Sequence, residues 1–219
     1  MTLVEAAVET IEAAQASERT GADRIELCVG LDEGGTTPGV ELLKDVIGSV
    51  NTPVFVLIRP RPGNFVYAPR EIDTMRRHID AANSSGALGV VTGALTADGH
   101  IEVDQMRRLI ESAGALPLTF HRAFDLTADA PGALEQLVDL GVDRILTSGG
   151  APTALEGAEN LARLVEQSDG RLVVVAGGGI REHNVRDVVG RTHVGEVHTR
   201  FTDEARLRRL IKQARGSDG

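Results

Sequence analysis

The chain has 219 residues, 42% of them hydrophobic, 3% aromatic and none tryptophan, and it carries a formal net charge of -9. That surplus of acid argues against nucleic acid and anionic membrane as partners, and no apolar run approaches the roughly 20 residues of a membrane span. With a single cysteine, Cys28, no disulfide can form within the chain, which points to a reducing, cytoplasmic setting.

Strand-like runs alternate with helix-like patterns from end to end. Val4–Val8 opens the chain, and a helix follows from Thr10 to about Arg19, ended by Gly21. Arg24–Cys28 is the second strand, followed by the loop Gly30–Pro38 and a helix over Val40–Ile47. Val54–Arg59 is the third, with a helix from Arg70 whose Ile72, Met75, Ile79 and Ala82 share a face. Leu88–Thr92 precedes the helix Val103–Ser112, and Leu118–His121 is the fifth strand. Asp129 is placed to cap the next helix. Arg144–Thr147 runs through Ser148-Gly149-Gly150 into a helix near Ala154–Glu166, and Leu172–Ala176 through Gly177-Gly178-Gly179 into Arg181–Val189. Glu196–Thr199 is the eighth strand, Asp203–Ala214 is the closing helix, and Arg215–Gly219 read as a frayed tail.

The segment Gly21-Ala22-Asp23-Arg24-Ile25 returns as Gly141-Val142-Asp143-Arg144-Ile145, and more weakly as Gly86-Ala87-Leu88-Gly89-Val90. Each is a glycine closing a helix just ahead of a strand. Eight such units, with strands apolar on both phases, predict an α/β fold: a single-domain (β/α)8 TIM barrel spanning residues 1–219. An open doubly wound sheet is the competing arrangement, disfavoured because no strand carries the charges of an exposed edge.

Such a barrel places its site at the carboxyl ends of the strands. The polar residues gathered there are Glu26, Arg59, His121 and Asp125 as candidate catalytic groups, with Arg61, Arg122, Ser148, Gly149, Gly177, Gly178, Gly179 and His198 as candidate ligand-binding positions. His121 is a candidate general acid or base, because an imidazole can exchange a proton near neutral pH. Glu26 is a second proton carrier or the ion-pair partner of Arg59. Arg59 and Arg61 bracket Pro60 and suit a carboxylate or phosphate. The two glycine-rich turns offer backbone N–H groups to an anion, although tight turns favour glycine in any case. Only Lys44 and Lys212 are present, both in helical segments, which argues against Schiff-base chemistry. Cys28 is the one candidate metal ligand. As a soft thiolate it suits Cu(I), but it needs a second ligand from His198, a methionine or another subunit. Met75 and Met106 read as core filler.

Taken together, Arg24-Ile25-Glu26-Leu27-Cys28, Glu33-Gly34-Gly35-Thr36-Thr37-Pro38, Ile58-Arg59-Pro60-Arg61, Phe65-Val66-Tyr67, Gly93-Ala94-Leu95-Thr96 with Asp98-Gly99, His121-Arg122-Ala123-Phe124-Asp125, Leu146-Thr147-Ser148-Gly149 and Gly177-Gly178-Gly179-Ile180 resemble the CutC family over nearly the whole chain. The resemblance implies a (β/α)8 barrel and a cytoplasmic role in copper tolerance or handling. It also implies that Cys28 matches a cysteine proposed for copper, and that Glu26, Arg59, His121, Arg122 and Asp125 match the family's active-site cluster. The chain departs from the family pattern in three places. Ala6-Ala7-Val8-Glu9-Thr10 stands where Cys-Val-Asp-Ser is usual, removing a second thiol. Pro62-Gly63-Asn64 replaces Gly-Gly-Asp, and His198-Thr199-Arg200 ends the eighth strand without a serine. Three functions follow as expectations: a copper homeostasis protein that binds Cu(I), a barrel enzyme doing acid–base chemistry on a small anionic metabolite, or a non-catalytic homo-oligomeric scaffold.

Overall fold

The computed structural model describes residues 1–216; Ser217–Gly219 of the expected tail lie outside the described residues. Eight parallel strands, β1 (Leu3–Val8), β2 (Arg24–Leu27), β3 (Val54–Leu57), β4 (Gly89–Thr92), β5 (Leu118–Phe120), β6 (Arg144–Thr147), β7 (Val173–Ala176) and β8 (Glu196–Arg200), pair in sequence order and close into a barrel. Closure is direct, with Leu3 of β1 opposite Glu196 of β8 and Ala7 opposite Arg200. The eight helices are α1 (Ile11–Thr20), α2 (Val40–Ser49), α3 (Pro69–Ser84), α4 (Val103–Ala113), α5 (Ala130–Asp139), α6 (Ala158–Ser168), α7 (Val185–Thr192) and α8 (Glu204–Ala214).

The main apolar core lies between strands and helices. Outward-facing Val4, Ile25, Val56, Val90 and Val197 meet Ile72, Met75, Met106 and Leu134 from the helices. Both methionines are completely buried there, as core filler. Inward-facing residues build a second, chemically different interior, in which Phe55, Leu57, Val91 and Cys28 form a small apolar cluster beside charged groups.

The repeated Gly-x-Asp-Arg-Ile segments have a structural job. Asp23 Oδ2 accepts the Val4 N–H at 2.8 Å, and Asp143 Oδ2 accepts the Leu118 N–H at 2.7 Å, so each aspartate latches the start of the preceding strand. Alternation then sends the following Arg24 and Arg144 into the barrel. Gly21 closes α1 in the left-handed region at φ 88°, and Asp129 caps α5 by accepting the Gly132 N–H. Arg215 pairs with Asp23 at 2.7 Å and donates to the Gly21 carbonyl, so this tail residue is tied to the end of α1.

Two helices begin later than expected. Before α6, residues 149–157 form an irregular turn, with Ser148 donating its hydroxyl to the Ala151 carbonyl. Ahead of α7, Asn184 organises a turn by accepting from the Arg181 N–H and donating to the Gly179 carbonyl. Both irregular stretches follow strands that end at the barrel mouth.

Candidate active site

A cavity of about 230 Å³ opens at the carboxyl end of the barrel. Its lining includes Glu26 from β2, Arg59 after β3, His121 after β5 and His198 from β8, with Arg122 and Gly178 at the rim. The acid, guanidinium and imidazole groups expected from separate strands therefore meet in one pocket. Three of them bring a buried polar atom that has no hydrogen-bond partner among the described residues: Glu26 Oε2, Arg59 Nε and His121 Nε2. Each of these residues is 5% exposed. Unsatisfied buried polar atoms are costly, and several facing one cavity mark a binding site.

Arg59 does not pair with Glu26. Its guanidinium donates to the Glu33 and Gly35 carbonyls at 3.1 and 2.8 Å and to the Gly63 carbonyl at 2.8 Å, clasping the loops after β2 and β3. These partners are neutral, so the cation keeps its full charge at the cavity wall, stacked 4.9 Å from the Phe65 ring. His121 sits against the same ring at 4.6 Å between centroids. Burial, aided by the Arg59 charge, pushes its pKa down to about 3, so it is a neutral imidazole at pH 7. Its Nδ1 accepts the Ala123 N–H at 3.3 Å, which assigns the hydrogen to Nε2.

Through His198, which lines the cavity, the pocket adjoins a buried ion network that the sequence reading missed in part. His198 Nδ1 lies 2.7 Å from Glu5 Oε1. Glu5 is also held by Arg24 at 3.3 Å and Arg144 at 3.0 Å, and both arginines pair with Glu196 at 2.8 Å. The two guanidiniums stack on the Phe55 ring, 4.8 and 5.1 Å from its centroid. Burial opposes a charged Glu5, but the His198 hydrogen bond and the Arg144 charge outweigh it and hold the carboxyl well below the usual range. For Glu26 burial prevails: it raises the carboxyl to about 7 against the opposing charges of His198 and Arg144, and the nearby Glu5 charge adds to the rise. Burial likewise disfavours charge on His198, yet the charges of Glu26 and Glu5 prevail and its pKa is raised.

Several expected site residues stand elsewhere. Arg61 is outside the cavity: past Pro60 it pairs with Glu71 at 2.6 Å, donates to the Asn64 and Val66 carbonyls, and lies over Tyr67. It therefore organises the loop between β3 and α3 and does not join Arg59 in gripping an anion. Asp125 is fully engaged, accepting from the Thr147 hydroxyl and from the Ser148 and Gly150 N–H groups, and pairing with Arg122 at 2.8 Å. It positions Arg122, which does line the cavity and also donates to Ser148 Oγ. Ser148 and Gly149 belong to that supporting turn and are not in the lining. Gly149 is required there because a Cβ would collide with the Gly157 carbonyl. Gly177 packs against Leu146. Gly178 and Gly179 reach the lining, and Gly178 adopts φ 92° with Arg122 passing close by, where a side chain would intrude.

The residues present fit copper poorly. Cys28 is fully buried, its thiol directed at the Val8 carbonyl 3.7 Å away, and burial pushes its pKa far up. A thiol held protonated in an apolar cluster is a weak metal ligand. Among the described residues, the only group of three or more potential ligands is Glu5, Glu26 and His198, with ligand atoms within 4.8 Å of one another. These are oxygen and nitrogen donors, unlike the sulfur that Cu(I) prefers, and Glu5 is already engaged by two guanidiniums.

The sequence matches the family model described as the CutC family over residues 2–203. Among curated proteins it is 50% identical over 196 residues to the human "Copper homeostasis protein cutC homolog", covering 90% of this chain and 72% of that protein. It is 44% identical to a CutC family protein of Histophilus somni, covering 89% of this chain and 80% of that protein. The CutC crystal structure from Streptococcus agalactiae superposes with a TM-score of 0.88 at 33% identity, covering 92% of this chain and 100% of that one.

Proposed function

The chain belongs to the CutC family, and from that premise we propose that it takes part in copper homeostasis, the role named for its human and mouse relatives. We propose further that it acts in the cytoplasm through the barrel mouth on a small anionic metabolite bearing a phosphate or carboxylate. In this reading its effect on copper tolerance is indirect. The observation that carries it is the set of three unpartnered buried atoms on Glu26, Arg59 and His121, all three residues lining one cavity. Arg59 and Arg122 attract the anion, the cavity excludes bulk water, and Glu26 and its neighbours exchange protons with the bound molecule. At about 230 Å³ the space suits a compact metabolite.

Complementation of copper tolerance in a host lacking its own copy tests the proposal. The expected result is that Cys28→Ser restores tolerance while Arg59→Ala and Glu26→Gln do not, although all three fold. A thermal-shift screen of phosphorylated and carboxylated metabolites should give a stabilising hit that disappears in Arg59→Ala. The competing reading, direct Cu(I) binding, rests on Cys28 being the only thiol. Stoichiometric Cu(I) uptake against a competing chelator, abolished by Cys28→Ser together with copper tolerance, would replace the proposal with that reading.

A further inference from the structure

The charged interior of the barrel has a count that its geometry makes meaningful. Three carboxylates point inward there, Glu5 from β1, Glu26 from β2 and Glu196 from β8, against two guanidiniums, Arg24 from β2 and Arg144 from β6. Glu5 and Glu196 each touch both arginines at 3.3 Å or less, so these four groups neutralise one another. Glu26 is left over as one surplus negative charge in a water-poor space, with Oε2 unpartnered. An uncompensated buried charge costs several kcal/mol. The remaining titratable group of this interior cluster is His198, whose ring is fixed by Glu5 and whose side chain is only 14% exposed. A single proton, on either Glu26 or His198, balances the whole set. Of the other charges around the pocket, Arg200 pairs with Asp32 and Glu9 and Arg122 with Asp125; Arg59 keeps its charge at the cavity wall but bonds only to carbonyls and touches none of these carboxylates, so it stands outside the inner set. Cys28 and His121, on the same inner face, are held neutral by burial.

We propose that Glu26 and His198 hold one exchangeable proton between them on the cavity floor, with Glu5 as the positioning residue, and that they deliver it to an oxygen of the bound anion while His121 serves as a fixed neutral hydrogen-bond donor. This rests on the acid–base reading of the mouth and reassigns the roles within it. The sequence makes His121 the proton carrier, whereas its Nδ1 is already occupied as an acceptor and only Nε2–H is left without a partner. His198 has the opposite arrangement: a carboxylate at Nδ1 orients the ring and stabilises its charged form. Transfer is balanced within the set. The pair gives up a proton to a carbonyl or leaving oxygen of the ligand, becoming neutral imidazole and carboxylate, and regains it from water or product through the open mouth. The ligand class is thus a small anion carrying a carbonyl, hydroxyl or ester oxygen that gains a proton in the reaction.

Histidine-labelled NMR reads this with neither copper nor ligand present, so its failure is separate from a failure of the complementation experiment. In the unaltered protein the His198 ring should titrate above the ordinary imidazole range, and His121 should stay neutral, in its Nε2–H form, from pH 5 to 9. Glu26→Gln should lower the His198 midpoint by at least about one pH unit, because an opposite charge at this range is worth one to three. Glu5→Gln should lower it as well and release the fixed tautomer. Should Glu26→Gln fail to fold, glutamate-labelled His198→Gln gives the reciprocal reading, with the Glu26 carboxyl titrating higher than in the parent. An unmoved His198 midpoint in Glu26→Gln, or protonation of His121 between pH 5 and 8, overturns the proposal.

Discussion

The barrel interior contains two layers built from the same residue types, and they differ in whether their charges are satisfied. In the lower layer Glu5 and Glu196 are shared between Arg24 and Arg144, and both guanidiniums rest on Phe55. The upper layer has Glu26, Arg59 and His121, each with an atom that no described residue satisfies. A buried ion cluster closed on itself holds a structure in place; one left open toward a cavity is prepared for something that arrives later. Burial alone would not separate them, since Glu5, Glu26, Arg59 and Arg144 are all buried. Partner count does.

The sharpest way to break the contrast is to remove a cation from the closed layer. Arg144→Met leaves Glu5 and Glu196 under-compensated and should cost about 3–5 kcal/mol, read as a lowered denaturant midpoint. A loss under 1 kcal/mol would mean that the lower layer is not a closed unit. The next effect comes from His121 and appears in acid. Because its folded pKa is depressed to about 3, the unfolded chain takes up a proton below about pH 6.5 that the fold refuses. Stability should therefore fall by up to about 1.4 kcal/mol per pH unit from that residue alone. His121→Gln should flatten the stability–pH slope between pH 6 and 5 by close to one proton.

Glu26 should act with the opposite sign. Its folded pKa is raised to about 7, so the residue costs nothing below the unfolded value of about 4.3 and weakens the fold as pH rises through 7. Glu26→Gln should gain about 1–2 kcal/mol at pH 8 and nothing near pH 4, which thermal midpoints across that range would show. An equivalent gain at both pH values would mean that Glu26 is not carrying the surplus charge. The smallest effect belongs to Arg61→Ala. The Arg61–Glu71 pair is partly exposed, so the change should cost about 1 kcal/mol or less and leave binding of any ligand found for the mouth unchanged. A loss of that binding would return Arg61 to the site.

Strand order and barrel closure were legible because strand-like apolar runs followed by helical patterns recur eight times, with helix-ending glycines at Gly21, Gly86 and Gly141 marking three of the junctions, and those features are local. Glu26, Arg59, His121 and His198 were legible because strand alternation and a position at the carboxyl end together put a side chain at the mouth. What escaped was pairing, which depends on strands distant in sequence. Glu5 meets Arg144 across 139 positions, and nothing near Glu5 announces a partner. The repeated Asp-Arg step was a usable signal, since it places Arg24 and Arg144 on one inner face, but its meaning requires the register of β1 and β8. Arg61 shows the reverse error. Its spacing from Arg59 fits one strand phase, yet the strand ends at Leu57 and Pro60 turns the chain away.

Phe55 fills the space that Gly89 leaves empty on the neighbouring strand, where any side chain would collide with the ring. With two guanidiniums pressed against it, the aromatic plate acts as a stopper at the lower end of the barrel. Whatever the protein handles must then come and go by a single doorway, and the outgoing molecule has to clear the rim of Arg122 and Gly178 before the next can enter.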